Sequence, residues 1–165
     1  MNASRCLATV VLAACCLGRA HADSGPEADR AAIAQVVRQF QAAIIAHDGK
    51  TLGSLFLQDH DSWLSVLDEK TWAEAKARTP KVDNLRKVHK SSWRDFAAMI
   101  QDGRKPVEER FYDVRIDTNG AVASVYFDFD FLSDGKVSNR GAESWQMVRT
   151  EDGWKINSML FSIGR

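Results

Sequence analysis

Two arginines in the C-terminal half, Arg110 and Arg140, have side chains that could anchor a ligand. The planar guanidinium group presents its N–H donors in a fixed fork that matches a carboxylate in bidentate geometry. If tight turns join the neighbouring strands, the hairpin register places Arg110, Phe129 and Arg140 in one cross-strand row. The two arginines are therefore predicted to bind a small anionic or carboxylate-bearing ligand. In the alternative, both reach water past their alkyl stems and pair with Glu108.

Five side chains are predicted to line one pocket: Trp63, Arg110, Tyr112, Arg140 and Gln146. The same register assigns Tyr112 to the sheet face that carries the phenylalanines of the following strand, which is the expected core face. Pockets for small molecules combine apolar walls with a few polar groups. The expected ligand is therefore small and partly apolar, and the hypothesis fails if these side chains point to bulk water.

Acidic residues on these strands are predicted to lie on the opposite, outer face of the sheet, among them Glu109, Asp128, Asp130 and Glu143. A pair of carboxylates can transfer protons or bind a cation, but this chemistry requires a sheltered site. An outer face is solvated, and contact with a second copy of the chain would also account for acids there. The sequence therefore assigns them no catalytic role.

Signals for metals and cofactors are missing from the sequence. His47, His60 and His89 do not have the spacing of two ligands on one helix, such as i and i+4. The sequence also has no phosphate-binding glycine loop, no dinucleotide fingerprint and no Gly-x-Ser-x-Gly nucleophile motif. We therefore expect neither a metal nor a cofactor.

Three helices are predicted in the first two thirds of the chain. Pro26 and the acids that follow it suit a helix N-terminus, and Gly49 ends the segment. A short second helix is predicted at 51–57, and a third begins at the serine pair before Trp93. Residues 69–90 are charged and contain a proline, so no single element is assigned there. The first helix presents one apolar stripe, formed by Ile33, Val36, Val37, Phe40 and Ile44.

Strands dominate the rest of the chain. Residues 62–67 alternate weakly and predict a strand, and from Val107 onward the apolar pattern has a period of two. Four strands of roughly 11 to 15 residues are predicted, and antiparallel strands of that length must twist and curl. The turns between them are predicted at Asn119-Gly120, Asp134-Gly135 and Asp152-Gly153. The sequence thus predicts an α+β domain over residues 23–165, with helices packed on a curved antiparallel sheet.

Two segments carry a resemblance to a known superfamily: "AIAQVVRQFQAAIIAHDGKTLGSLF" early in the chain and "GAESWQMVRTEDGWKI" late. The order of elements and these segments resemble the nuclear transport factor 2 (NTF2)-like superfamily, specifically its SnoaL-like or lumazine-binding branch. The resemblance implies a cone-shaped roll, in which three helices close over a bent sheet around a pocket, often with a homodimer through the outer sheet face. Members include ketosteroid isomerase, scytalone dehydratase and polyketide cyclases. The isomerase uses a tyrosine on its first helix, and residues 27–47 contain none, so that role is not carried over.

The first 22 residues are predicted to be a signal peptide. One arginine precedes an uncharged stretch of 13 residues from Cys6 to Gly18, which is too short to cross a bilayer, and Ala20-His21-Ala22 matches a signal-peptidase site. The protein is therefore expected in the periplasm or the medium. Alternatively, the preceding Leu-Ala-Ala motif marks Cys15 as a lipid-anchored N-terminus. All three cysteines lie in this segment, so a chain beginning at Asp23 has no thiol.

The mature chain is nearly neutral. Removing Arg5 and Arg19 from the 22 basic residues leaves 20 against 22 acidic ones, a net charge of −2. General nucleic-acid binding depends on surplus lysine and arginine, so nucleic acid is not an expected partner.

The leading hypothesis is an exported pocket protein that binds a small molecule of unknown identity. The first alternative is an isomerase, dehydratase or cyclase that acts in the same pocket, which requires an Asp or His with a shifted pKa inside it. The second alternative is a module of the cell envelope that binds partners, or a second copy of itself, through the outer sheet face.

Overall fold

The helices lie in the N-terminal part of the chain and four of the five strands follow them. A computed structural model describes residues 25–59, 61–79 and 91–164, so the predicted signal peptide lies outside the described residues. The helices are α1 (Pro26–Ile45), α2 (Gly49–Ser54), α3 (Glu69–Arg78) and α4 (Trp93–Asp102). The strands are β1 (Ser62–Leu67), β2 (Val107–Thr118), β3 (Val122–Ser133), β4 (Lys136–Thr150) and β5 (Gly153–Ile163).

Helix α1 packs its predicted apolar stripe against the sheet. A proline in the first turn and the early acids Glu27 and Asp29 favour the N-terminus electrostatically and sterically. All five predicted stripe residues are buried, and Phe40 near the middle contacts rings of the sheet and of α4. The predicted start and stripe of this helix are confirmed, and its position makes it one wall of the interior. The predicted end at Gly49 was wrong, because α1 ends at Ile45 and Gly49 is the first residue of α2.

Helix α4 forms another wall, and its start is fixed by a capping box. The Ser92 side chain accepts a hydrogen bond from the Asp95 backbone N–H, while the Asp95 carboxylate accepts one from the Ser92 N–H. Gly103 ends the helix in the left-handed conformation. Helices α2 and α4 approach so closely that a Cβ at Gly49 would collide with the Ala97 carbonyl oxygen.

Helix α3 lies in the segment to which the sequence assigned no single element. Asp68 caps it by accepting a hydrogen bond from the Thr71 N–H, and Trp72 is its buried residue. Its remaining residues are mostly charged, so an apolar stripe does not reveal it. The rest of the unassigned segment, residues 80–90, lies outside the described part of the chain.

The five strands form one curled, open sheet in the order β1-β5-β4-β3-β2. Strands β2 to β5 are antiparallel neighbours, as predicted. Strand β1 pairs with β5 in parallel, so the sheet is mixed where an antiparallel one was predicted. A parallel neighbour needs a crossover connection, which here contains the two helices α3 and α4 and the long hairpins after them.

The predicted register of the β2–β3 hairpin was wrong. Thr118 pairs with Ala123, which leaves four residues in the loop where two were expected. A bulge between Tyr112 and Arg115 then shifts the pairing again. As a result Arg110 pairs with Asp130. A separate shift in the β3–β4 pairing, between Phe131 and Leu132, pairs Arg140 with Asp130 as well, so the predicted row of Arg110, Phe129 and Arg140 does not form.

The β2 bulge exchanges the predicted faces of β2 up to Tyr112, because neighbouring residues on a strand point to opposite sides, and the shift in the β3–β4 pairing between Phe131 and Leu132 does the same for β4. Tyr112, expected on the core face, is 43% exposed on the outer face. Glu109 and Glu143, expected on the outer face, are both buried. Asp128 lies exposed on the outer face as predicted, opposite the buried side chain of Phe129.

Candidate functional site

The interior of the domain contains a cavity of about 340 Å³ between the helices and the concave face of the sheet. This volume falls within the range of small-molecule sites, about 300–1,000 Å³. Six of its fourteen described lining residues are aromatic, and these six come from α1, α4 and the strands β1, β3 and β5. The rings belong to Phe40, Trp63, Phe96, Phe129, Phe131 and Phe161.

The rings contact one another along the wall. The centroid of Trp63 lies 5.1 Å from that of Phe161 in an edge-to-face arrangement and 5.7 Å from that of Phe96. Phe96 in turn lies 6.2 Å from Phe131 and 6.2 Å from Phe40. Aromatic pairs at 4.5–7 Å stabilise each other's orientation beyond simple burial. The cavity therefore has a firm, flat-sided wall suited to a ring-bearing molecule.

Two carboxyl groups project into this aromatic wall. Glu109 on β2 is 5% exposed and Glu143 on β4 is 3% exposed, and both line the cavity. The strand register places Glu109 opposite Phe131, and Glu143 between Phe127 and Phe161. Ionisable side chains are almost never buried this deeply without a partner, so the two carboxyls are the most unusual feature of the interior.

The two carboxyls have different hydrogen-bond environments. The indole Nε1–H of Trp145 donates to Oε2 of Glu143 over 2.7 Å, and this bond is fully buried. Trp145 can only donate, so the bond favours the ionised carboxylate. Within the described part of the chain, no hydrogen bond reaches the Glu109 carboxyl, although the Glu109 backbone carbonyl accepts one from Gln41. Glu143 is thus better prepared to carry a negative charge.

Burial raises the pKa of Glu143 from 4.5 to about 7, and the Trp145 hydrogen bond limits the rise. Burial also raises the pKa of Glu109 well above 4.5, and repulsion from the Glu143 charge adds to the shift. Two buried negative charges repel each other, and the Trp145 hydrogen bond favours the charge on Glu143, so the favoured ionised state of the pair has Glu143 ionised and Glu109 protonated. Such a pair can accept a proton and donate one within a single cavity.

The described part of the cavity wall is acidic. Asp95 lies at the rim, where its carboxylate accepts hydrogen bonds of 2.8 Å from the backbone N–H and the hydroxyl of Ser92. Among the described residues that line the cavity, three are acidic and none is basic. The remaining polar lining consists of Ser65, Ser91 and Asn139. No group of three histidine, cysteine or acidic residues that could hold a metal ion occurs in the described ranges.

The structure does not bring the five predicted pocket residues together. Trp63 lines the cavity. Arg110 and Arg140 are exposed on the outer face beside Asp130, and Arg140 Nε lies 3.5 Å from its Oδ1. The Tyr112 hydroxyl lies 3.3 Å from Oδ2 of the same aspartate. Gln146 is exposed as well, next to Ser124 on the neighbouring strand.

Both arginines are exposed, as the alternative predicted, but only Arg110 pairs with Glu108, whereas Arg140 lies beside Asp130. Arg110 makes two hydrogen bonds to Glu108, from Nε over 2.8 Å and from Nη2 over 3.0 Å. The Arg110–Glu108 pair is about half exposed, so it does not form a buried site for an anion. The charged side chains that line the described cavity wall are carboxylates, where the sequence predicted arginines.

Sequence reasoning missed Glu109 and Glu143 because it placed them on the wrong face. A signal for Glu143 was present in the sequence. Glu143 and Trp145 are two residues apart on a strand and therefore share a face, so the indole N–H can reach the carboxylate. A tryptophan followed by Met147 on that face predicts a core strand, which would have placed Glu143 inside as well.

Comparison with known proteins establishes the fold. No family model matches the chain, and no curated protein matches it either. Among solved structures, an NTF2-like candidate dehydratase from Streptomyces avermitilis has 20% identity and a TM-score of 0.60, covering 85% of this chain and 99% of its own. A candidate aromatic ring hydroxylase from Novosphingobium aromaticivorans has 17% identity and a TM-score of 0.55, with coverage of 85% and 92%.

A third solved structure, an NTF2-like protein of unknown function from Shewanella baltica, has 16% identity and a TM-score of 0.58, covering 85% of this chain and 97% of its own. At these identities the likeness concerns the fold alone. The chain has the NTF2-like fold, with helices packed on a curled sheet, and that prediction is confirmed.

Proposed function

We propose that this protein binds a small, largely apolar, ring-bearing molecule in the inner cavity and transfers protons on it with the Glu109–Glu143 pair. The observation that carries the proposal is the burial of both carboxyls in an aromatic cavity wall. Among the functions predicted from the sequence, this burial favours an isomerase or dehydratase. The glutamates would serve as the titratable groups inside the pocket, where an Asp or His was expected from the sequence. The fold neighbour described as a candidate dehydratase is consistent with this type.

The pair can carry out such a reaction without external reagents. In a dehydration, ionised Glu143 takes a proton from carbon, the carbon–oxygen bond breaks, and protonated Glu109 gives its proton to the departing hydroxyl, which leaves as water. The pair then still holds one proton, and its transfer from Glu143 to Glu109 restores the starting state. In an isomerisation the removed proton returns to a different carbon. General acid–base catalysis of this kind contributes about 10²–10⁴-fold to a rate.

A neutral aromatic probe, 5-nitrobenzisoxazole, tests the base directly. Removal of its C–H proton breaks the N–O bond and releases a coloured cyanonitrophenolate. We expect a rate that rises with pH as Glu143 ionises, with a midpoint at about 7. Glu143→Gln should lower this rate by about 10²-fold or more, whereas the exposed Glu151→Gln should not change it. Equal rates for Glu143→Gln and the unaltered protein would refute the proposal.

We also propose that the protein is exported and acts outside the cytoplasm. The support is the charge and apolar pattern of residues 1–22. Within the described ranges, none of the helices is long and apolar enough to span a bilayer. Mass spectrometry of the protein purified from its native cell tests the proposal: an N-terminus at Asp23 supports release, a lipidated Cys15 supports anchoring, and an intact Met1 contradicts export.

A second copy of the chain is proposed to cover the outer sheet face. One cross-strand row on that face carries Leu64, Leu160 and Tyr126, which are 37%, 47% and 41% exposed. Exposed apolar patches on sheets favour association. Sedimentation should show a dimer that Leu160→Lys dissociates, and a monomer at all concentrations would contradict this proposal.

A further inference from the structure

We infer that the ligand of the cavity is a cation, an aromatic or other ring-bearing amine or quaternary ammonium compound. The inference rests on the proposed function, because it takes the inner cavity as the binding site. It replaces the anionic ligand that the two arginines suggested. Three features of the described cavity wall lead to it: its charge, its ring faces and the partners of its carboxyls.

The charge of the wall favours a cation and opposes an anion. Glu109, Glu143 and Asp95 line the cavity, and no basic side chain among the described residues balances them there. Arg110 and Arg140, the two arginines predicted to anchor a ligand, are exposed on the other face of the sheet. An anion entering this cavity would meet like charges in a medium of low polarity, where repulsion is poorly screened.

The ring faces provide a second attraction. The quadrupole of tryptophan and phenylalanine rings attracts a positive charge placed over the ring face, and clusters of such rings bind ammonium groups. Trp63, Phe96, Phe131 and Phe161 form such a cluster through successive contacts, with centroids 5.1–6.2 Å apart. These rings share the cavity with the two carboxyls, so a cation there could contact both kinds of group.

The carboxyls are incompletely compensated. Glu143 receives one hydrogen bond, from the neutral Trp145, and no described residue gives Glu109 any. Buried carboxylates are normally paired with a cation or several donors. A ligand ammonium group would supply the missing positive charge beside an ionised carboxyl of the pair.

The test compares three ligands of similar shape: 4-hydroxyphenyltrimethylammonium, its neutral isostere 4-tert-butylphenol, and the anion 4-hydroxybenzenesulfonate. Calorimetric titration at neutral pH should give tightest binding for the cation, at least about tenfold tighter than for the neutral compound, with no binding of the anion. The cation should also inhibit 5-nitrobenzisoxazole turnover competitively, which locates it in the cavity. The double variant Glu109→Gln/Glu143→Gln should lose this preference, while Glu151→Gln should keep it.

Each other outcome overturns the inference. If 4-tert-butylphenol binds as tightly as the cation, the cavity selects for shape and the charge argument is wrong, while the proposed function stands. If none of the three binds, the ligand class is wrong, and turnover of the neutral benzisoxazole still decides the proposed function separately. The comparison in the unaltered protein needs no variant, so a variant that fails to fold does not weaken it.

Discussion

Replacing Glu143 by glutamine should make the folded protein less sensitive to alkaline pH. Glutamine has nearly the same shape, and its side-chain oxygen can still accept the hydrogen bond from Trp145. The substitution therefore removes the buried charge with little change in packing. Its effect on stability isolates the free-energy cost of ionising a carboxyl inside the aromatic cavity.

The magnitude follows from the shift in pKa. The pKa of Glu143 rises from 4.5 in the unfolded chain to about 7 in the folded protein. At about 1.4 kcal/mol per pH unit, this corresponds to about 3 kcal/mol. The folded state binds the proton more tightly, so this stability is fully present below pH 4.5 and is lost as the pH rises to about 7. The pKa of Glu109 is also raised, so its ionisation adds a further loss of folding stability as the pH rises.

Urea unfolding at about pH 5 and about pH 8 measures this loss. Glu143 alone should cost the unaltered protein about 2–3 kcal/mol between the two, and Glu143→Gln should lose less by about that amount. Hydrogen bonds from Thr51 and Thr71 lower the pKa of Asp48 and Asp68 below 3.8. These two groups therefore reduce stability as the pH falls, and only at more acidic pH than the two values compared here. The exposed control Glu151→Gln should follow the unaltered protein. Parallel pH profiles for Glu143→Gln and the unaltered protein would refute the reasoning.

Three further substitutions test the packing around the site. Gly49→Ala should lower the Tm, although alanine usually stabilises a helix by about 1 kcal/mol over glycine, because its Cβ would collide with the Ala97 carbonyl oxygen; a higher Tm contradicts this. Ser92→Ala should cost about 1 kcal/mol in urea unfolding by removing the capping box with Asp95, and an unchanged midpoint would show that the box is dispensable. Trp145→Phe removes the donor to the buried carboxylate, so the pKa in the ¹³C NMR titration of that carboxyl should rise above about 7; an unchanged or lower value argues against this role of the indole.

The sequence predicted those parts of the fold that local patterns determine. The stripe of α1, the serine cap of α4 and the alternation along β3 each depend on residues close together in the chain, and all three are found in the structure. The two-residue turn at Asp134-Gly135 is present too, since Ser133 pairs with Lys136. Helix α3 was not predicted because Trp72 is its one buried residue, so the helix has no apolar stripe.

The site could not be predicted because it depends on register. The bulge in β2 includes Asp113, which has a φ of 52° although it is not glycine. No residue pattern in the sequence predicts a bulge at this position. One residue of slippage moves a whole strand's side chains to the other face. The β2 bulge therefore exchanged Tyr112 for Glu109 on the cavity side, and the shift in the β3–β4 pairing after Phe131 exchanged Arg140 for Glu143. Together they turned a predicted basic pocket into an acidic one.

The folding stability that the protein loses by burying these two carboxyls is itself an argument that they have a functional role. Domains of this size are stable by about 5–15 kcal/mol, and a loss of about 3 kcal/mol at neutral to alkaline pH is a large part of that. Apolar residues at the positions of Glu109 and Glu143 would pack against the same rings without this cost. Salt-bridge formation does not explain the glutamates, because no described basic side chain lies in the cavity wall. Proton transfer and cation binding both require a carboxyl that is sheltered from water and incompletely compensated, and that is the state in which the fold holds these two.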